Sequence, residues 1–290
     1  MWLAYNTNGL AHHRLDDALR LLADLGYEGV ALTPDVGQLD LTTTGEREWA
    51  AARELLDRLK LRVVLETGAR FALDRGRKHW PNLVTKEDSA ADRRVGWYRR
   101  ALRMAQVLRA ELVSLWSGAP DDLPENSVAA AATKDASAPA VEAIWRRLVE
   151  RLRRVLDDAA AASVKLCLEP EPGMFVDSLA AYRELRRRLA RDELGTTLDV
   201  GHLLVTESGA PHEHLAEFAT TLKNVQLDDA RRGVHEHLPL GEGEIDFAPL
   251  FAELRRLNYR GPVALELSRD SHRAAQLAEE SLRRIRGWLA

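Results

Sequence analysis

The strongest constraint on this chain is a device repeated through its second half: a short apolar run that stops at a carboxylate or an amide. Leu166-Cys-Leu-Glu-Pro-Glu-Pro-Gly173, Thr197-Leu-Asp-Val-Gly-His202, Val225-Gln-Leu-Asp228 and Val263-Ala-Leu-Glu-Leu267 all follow it. A run that is apolar at consecutive positions suits a strand covered on both faces, since a half-exposed strand would alternate apolar with polar. A helical period separates each pair of runs. Strands alternating with helices build a parallel sheet, and function in such sheets gathers at the carboxyl ends of the strands. Glu169, Asp199, Gln226 and Glu266 fall at those ends.

The first half keeps the same rhythm. Trp2 to Thr7, Gly29 to Thr33, Arg62 to Thr67 and Leu112 to Trp116 read as strands. Leu15 to Leu25 carries apolar residues at helical spacing and stops at Gly26. A helix from about Glu46 to Leu59 opens with the capping pair Thr43 and Glu46, and Ala91 to Leu108 forms a third. Residues Gly118 to Pro139, rich in Ala, Asp, Ser and Pro, break the rhythm and read as an exposed loop. Val141 to Ala161 resumes as a long amphipathic helix. Strands five to eight start near Val164, Gly195, Leu222 and Pro262, with helices near Leu179 to Leu189, His212 to Ala219, Phe247 to Leu257 and His272 to Leu289. Eight strands and eight helices, spaced by roughly 25 to 40 residues, predict an α/β fold, a closed (β/α)8 TIM barrel. It is expected to occupy residues 1–290 as a single domain. An open doubly wound sheet is the alternative, but Asn6-Thr-Asn-Gly-Leu-Ala11 after the first strand lacks the glycine-rich nucleotide fingerprint.

Composition narrows the function classes. At 290 residues, 46% hydrophobic and 30% charged with both signs interspersed, the chain has material for a sizeable core. Its net charge of −4 argues against a nucleic-acid partner, and a basic cluster such as Arg186-Arg-Arg188 lies on a helix whose solvated face explains it. The one cysteine, Cys167, sits inside an apolar strand and reads as a small buried hydrophobe in a reducing compartment. No stretch is long and apolar enough for a bilayer, and the N-terminus lacks a basic start before an apolar core. The expectation is a cytoplasmic protein without membrane partners. Trp145 and Trp288, on outer helices, point to a homo-oligomer interface.

The segment His235-Glu-His-Leu-Pro-Leu-Gly-Glu-Gly-Glu-Ile-Asp-Phe247 reads as a loop after the third of the four runs. His235 and His237 are two apart, so extended backbone points them the same way, and His202 could join them around one ion. Loop histidines serve equally as substrate donors or structural hydrogen-bonders. Carboxylates in apolar runs need a cation or internal salt bridges, because an unpaired buried charge is costly.

Taken together, Leu-Glu-Pro-Glu-Pro-Gly, Leu-Asp-Val-Gly-His, the His-Glu-His segment through Ile-Asp-Phe and the closing Leu-Glu-Leu resemble the xylose-isomerase-like TIM-barrel superfamily. That group holds sugar and sugar-phosphate isomerases and epimerases, inosose dehydratases and the endonuclease IV enzymes. The resemblance implies a divalent ion at the barrel mouth, held by Glu169, Asp199, Gln226 and Glu266. The family usually carries His where Gln226 stands, and a neutral amide oxygen shifts preference toward Mn²⁺ or Mg²⁺, with Zn²⁺ or Co²⁺ as alternatives. The endonuclease branch binds further zinc ions through histidines after earlier strands, where Glu66-Thr67 and Trp116-Ser117 stand here. Its Asp-x-His pair has become His235-x-His237, leaving a second ion on His202, His235 and His237 as an expectation.

The implied reaction is isomerisation or epimerisation of a small sugar-like polyhydroxy carbonyl compound through an enediolate, with Glu169 and Glu266 as base and acid. His202 or His237 would move an oxygen-bound proton. Glu171, His237, Glu66, Arg70, Trp116 and His12 are the candidate substrate contacts. Three of them have a plainer account: Glu171 as a cap of its turn, Trp116 as core, and His12, with His13, as a solvated loop residue. The run Arg75 to His79 suits either an anion or open solvent, and Trp80 a sugar ring. Elimination from a cyclic polyol or keto-glycoside starts from the same proton abstraction and gives a dehydratase or lyase as the second reading. An endonuclease ranks below it. The non-enzyme reading is a metal-poor barrel that binds a metabolite or a partner protein.

Overall fold

The computed structural model describes residues 1–123, 132 and 138–289. Strands β1 (Trp2–Asn6), β2 (Gly29–Leu32), β3 (Arg62–Glu66), β4 (Leu112–Leu115), β5 (Lys165–Leu168), β6 (Gly195–Asp199) and β7 (Leu222–Leu227) follow one another along the chain. After the antiparallel hairpin β8 (Asp229–Arg231) and β9 (Val234–Leu238) comes β10 (Pro262–Leu265). Every strand but the hairpin pair joins a closed barrel, in the order β1-β10-β7-β6-β5-β4-β3-β2, with all neighbours parallel. The expected (β/α)8 barrel is therefore the observed fold.

Helices α1 (Leu15–Leu25), α2 (Glu46–Leu59), α3 (Asp88–Leu108), α4 (Pro139–Ala161), α5 (Leu179–Leu189), α6 (Val200–Thr206), α7 (Phe247–Arg256) and α8 (Ala274–Leu289) complete the order. The stop at Gly26 is physical: it ends α1 at φ 94°, donating its N–H to the carbonyls of Leu22 and Ala23. No helix among the described residues is long and apolar enough to cross a membrane.

Two layers of packing follow from strand alternation. Leu3, Tyr5, Val30, Leu32, Val63, Leu65, Val113 and Leu115 point outward into the large core beneath the helices. Their neighbours Trp2, Ala4, Ala31, Val64, Leu112, Cys167 and Ala264 form a separate cluster in the lumen. Cys167 is buried there, as expected, and burial pushes its thiol pKa up. The same parity, carried two residues further along each strand, brings Asn6, Glu66, Glu169, Asp199, Gln226 and Glu266 to the mouth.

Several local expectations are corrected. The stretch after β7 is not all loop, since Val234–Leu238 pairs back on Asp229–Arg231. A short helix, Val200–Thr206, follows β6 directly, while 211–218 is a 3-10 turn and not a regular helix. The cap of α2 lies two residues beyond the predicted pair: Gly45 donates its N–H to Glu48 Oε2 at 2.9 Å. Trp145 is fully buried against Phe175, and Trp288 stacks on Phe247 and Phe251, so both pack within the chain. The expected loop at 118–139 lies largely outside the described residues, and α4 opens at Pro139.

Candidate active site

Three carboxylates from neighbouring strand ends converge. Glu169 follows β5, Asp199 closes β6, Glu266 follows β10, and one oxygen of each lies within 4.8 Å of the others. Glu169 Oε2 accepts from Gln226 Nε2 at 3.1 Å, and Glu266 Oε1 from Asn8 Nδ2 at 2.7 Å. Asp199 Oδ1 caps α6 by accepting the His202 N–H at 2.9 Å. Glu169 Oε1 and Asp199 Oδ2 are buried with no hydrogen-bond partner. A fourth carboxylate, Glu66, lines the same cavity, accepting from Asn224 Nδ2 at 2.6 Å.

Burial, with like charges close by, favours the protonated forms of Glu169, Glu266 and Glu66. Burial, then Glu266 and Asp199, push Glu169 well above its usual 4.5. Burial and Asp199 raise Glu266 to about 7, and burial and Glu266 raise Glu66 to about 8. Glu171 also rises to about 8, chiefly through burial.

Beside the carboxylates stands a histidine face. The rings of His202, His235 and His237 lie edge to face, with centroids 4.9, 5.6 and 5.4 Å apart, and one nitrogen of each lies within 4.8 Å of the others. His202 Nδ1 is 3.3 Å from Glu169 Oε1 and 3.5 Å from Glu171 Oε2, so it links the two groups. Burial opposes its charged form, but Asp199, Glu171 and Glu266 outweigh burial and raise its pKa. Burial lowers His235 to about 4 and His237 to about 3, leaving both neutral and able to ligate.

The glycine-rich run that carried the sequence resemblance proves to be a clamp around Asp229. Its Oδ2 accepts the N–H groups of Gly241 and Gly243 at 2.7 and 2.9 Å, and its Oδ1 those of Ala230 and Ile245 at 3.0 Å. A Cβ on Gly243 would sit 2.3 Å from Asp229 Oδ1, so only glycine fits the turn that carries the hairpin back.

The remaining predicted residues divide. Glu66, Glu171, Arg70, Trp116 and His237 line the mouth cavity, of about 80 Å³. Trp116 is half-buried there, edge-on to His79 at 4.6 Å, instead of lying in the core. His12 stays exposed and does not line the cavity. Within the basic run Arg77 pairs with Asp74 at 2.9 Å and covers Trp80, while Lys78 and His79 turn toward the cavity. Buried Arg94 supports that turn, donating to the Pro81 carbonyl at 2.6 Å. Gln226 reaches the carboxylates through its amide nitrogen; its oxygen faces Asn6 Nδ2 at 3.5 Å, not the acid cluster as an oxygen ligand would.

Three residues escaped the sequence reading. Asn6 and Asn8 line the cavity, and their two-residue spacing at a strand end was an available signal. Asp228, two after Gln226, holds the Gly201 N–H at 3.0 Å through Oδ1 and places Oδ2 2.6 Å from His237 Nδ1. It forms a further potential ligand group with Asp199 and His237.

A divalent ion fits these residues. Among the described residues no Lys or Arg lies within ion-pair distance of Glu169, Asp199 or Glu266; the ion-paired neighbour is His202, 3.3 Å from Glu169 Oε1, so one imidazole faces three carboxylates. Glu169 Oε1 and Asp199 Oδ2 accept no hydrogen bond, so two oxygens of the cluster stand open to a cation. Oxygen donors suit Mn²⁺ or Mg²⁺, and the three imidazoles suit Zn²⁺.

Comparison with known proteins agrees with this architecture. The family described as xylose isomerase-like TIM barrel matches residues 19–288. The putative L-ribulose-5-phosphate 3-epimerase SgbU of Escherichia coli K12 is 30% identical over 131 residues, which span 43% of this chain and 46% of that protein. L-ribulose-5-phosphate 3-epimerase UlaE of Shigella flexneri serotype 5b is 24% identical over 258 residues, covering 87% of this chain and 81% of its own length. The crystal structure of D-allulose 3-epimerase from Methylomonas sp. superposes with a TM-score of 0.75 at 17% identity, covering 99% and 98% of the two chains. That likeness speaks to the fold.

Proposed function

The chain belongs to the xylose isomerase-like TIM-barrel family, and we propose that it is a divalent-metal-dependent epimerase or isomerase of a small polyhydroxylated carbonyl compound. The observation that carries this reading is the convergence of Glu169, Asp199 and Glu266, with orphaned oxygens on the first two and no Lys or Arg within ion-pair distance among the described residues. The epimerase names of the sequence relatives favour it over the dehydratase reading.

A divalent ion held by Glu169, Asp199 and Glu266 would polarise substrate oxygens and offset the negative charge that develops when a carbon-bound proton leaves. Glu169 and Glu266 come from strands separated by β6 and β7, so they approach a bound carbon from different sides. One takes the proton and the other returns one. Glu266, raised to about 7, can hold and release a proton near neutral pH, and Glu169 is raised in the same direction by burial and its carboxylate neighbours. Gln226 orients Glu169, and Asn8 orients Glu266. His202, beside Glu169 and Glu171, moves the oxygen-bound proton. Glu66, Glu171, Arg70, Trp116 and His237 are assigned to the substrate, and His202, His235 and His237 to a second ion.

The test is solvent deuterium exchange into L-ribulose 5-phosphate and D-allulose with Mn²⁺ present, alongside the metal content of chelator-free protein. Incorporation that disappears in Glu169→Gln is expected. A folded Glu169→Gln variant exchanging at the native rate would overturn the acid–base assignment. Metal-free native protein that also fails to take up Mn²⁺ would return the barrel to a binding role.

A further inference from the structure

All three large apolar side chains that stand exposed among the described residues, Val36 at 74% and Phe71 and Val234 at 49%, lie on segments following barrel strands at their carboxyl ends. One such residue needs no explanation, but two of these share a groove. Val36, after β2, and Phe71, after β3, line a depression of about 230 Å³ together with Thr7, Ala11 and Gln38. The groove runs into the acid cavity, because Asn8 and Arg70 line both. Asn8 is the hinge of that junction, since its Nδ2 holds Glu266. The groove also contains Asp35, whose Oδ2 lies 3.7 Å from Arg70 Nη1. Asp35 and Arg70 face each other, so the lining offers an anion no cation free of a carboxylate, whereas a neutral apolar group meets Val36 and Phe71.

We propose that this groove is a second subsite, built for the apolar substituent of a neutral glycoside whose oxidised sugar ring lies among the carboxylates. The favoured substrate class is then an alkyl or aryl keto-glycoside, ahead of a free ketose or a sugar phosphate, which react at the carboxylates but leave the groove empty. The inference rests on the epimerase reading for the ring and on the groove alone for the substituent. Arg70, at the junction, donates to the glycosidic or ring oxygens, and the substituent covers the exposed faces of Val36 and Phe71.

The experiment compares phenyl and methyl β-D-glucopyranoside as binding probes for the Mn²⁺-loaded protein by calorimetry, in the native chain and in Val36→Ser/Phe71→Ala. Phenyl should bind about tenfold tighter than methyl, the effect of burying a ring against apolar side chains. The double variant should erase that preference and leave methyl binding unchanged. Equal affinities in the native chain would overturn the subsite, as would a preference that survives the double variant. Tighter binding of glucose 6-phosphate than of the phenyl glucoside would overturn it in favour of an anion. A native dimer that the double variant dissociates in sedimentation, without loss of preference, would assign the apolar faces to a second copy. Deuterium exchange keeps the two readings apart: exchange into L-ribulose 5-phosphate without phenyl preference sinks only the subsite, and phenyl preference without exchange into any carbonyl substrate sinks only the epimerase.

Discussion

The lumen of this barrel holds two layers that differ by one pleat. Ala4, Val64, Cys167 and Ala264 fill the lower layer with small or apolar side chains. Two residues further on, Asn6, Glu66, Glu169 and Glu266 make the upper layer polar and acidic. The strands and the parity are the same, so the backbone does not explain the difference. What differs is the chemistry: Ala4, Val64, Cys167 and Ala264 carry no hydroxyl, amide or carboxylate and pack on one another, whereas Glu169 Oε1 and Asp199 Oδ2 above them are buried without a hydrogen-bond partner. Stability and function are thus separated by about 7 Å along each strand.

The largest expected effect breaks the upper layer. Glu169→Gln or Glu266→Gln should lower kcat by about 10²- to 10⁴-fold, the usual contribution of a positioned acid or base, with the circular dichroism unchanged. Metal-free protein should become no less stable, because each change removes a repelling charge. A loss of fold would mean that the upper layer is structural after all. The converse change lies below: Leu112→Ala, in the apolar lumen cluster, should destabilise by about 2 to 5 kcal/mol in denaturant titration while specific activity of the folded fraction persists.

A smaller effect is the pH dependence of the metal-free protein. Glu266, Glu66, Glu171 and Glu169 have folded pKa values above their usual 4.5, so the folded state binds more protons through the window up to about 8. Their stability is present below the unfolded value and is lost as pH rises through the folded ones. His202, also raised, acts in the same direction. His235 and His237 are depressed from 6.5, so they withdraw stability as pH falls below that value, and from pH 6.5 to 8 the carboxylates and His202 act together without them. A loss of about 2 kcal/mol across that window lowers Tm by roughly 3 to 6 °C, and Mn²⁺ should restore it. A flat Tm profile without metal would remove the electrostatic argument for the ion.

How much of this was legible in the sequence depends on distance along the chain. The barrel and the converging carboxylates were, because each rests on a local apolar run with fixed parity. The hairpin at 229–238 was not, because its order comes from Asp229 clamping amides twelve to sixteen residues away. Asp228 was passed over for Gln226, although both point inward at a spacing of two. Trp145 and Trp288 looked like outer-face residues because a helical period cannot say which neighbouring helix covers a given side.

The smallest expected difference lies within a single loop and tests how sharply the upper layer ends. Asn8 and His12 both follow β1, and both are polar residues near the mouth in sequence. Asn8 donates to Glu266 at 2.7 Å, whereas His12 is exposed and touches nothing in the cavity. A hydrogen bond to a charged group contributes about 1.5 to 3 kcal/mol, so Asn8→Ala should cut kcat/KM by roughly 10- to 100-fold. It should also shift the acidic or basic limb of the pH profile, because Glu266 loses the donor that holds its pKa down. His12→Ala should stay within about twofold at every pH, as expected of an exposed side chain without partners. If His12→Ala lost activity while Asn8→Ala did not, the upper layer would extend into the loop in solution, and the boundary drawn here between orienting and solvated residues would be misplaced.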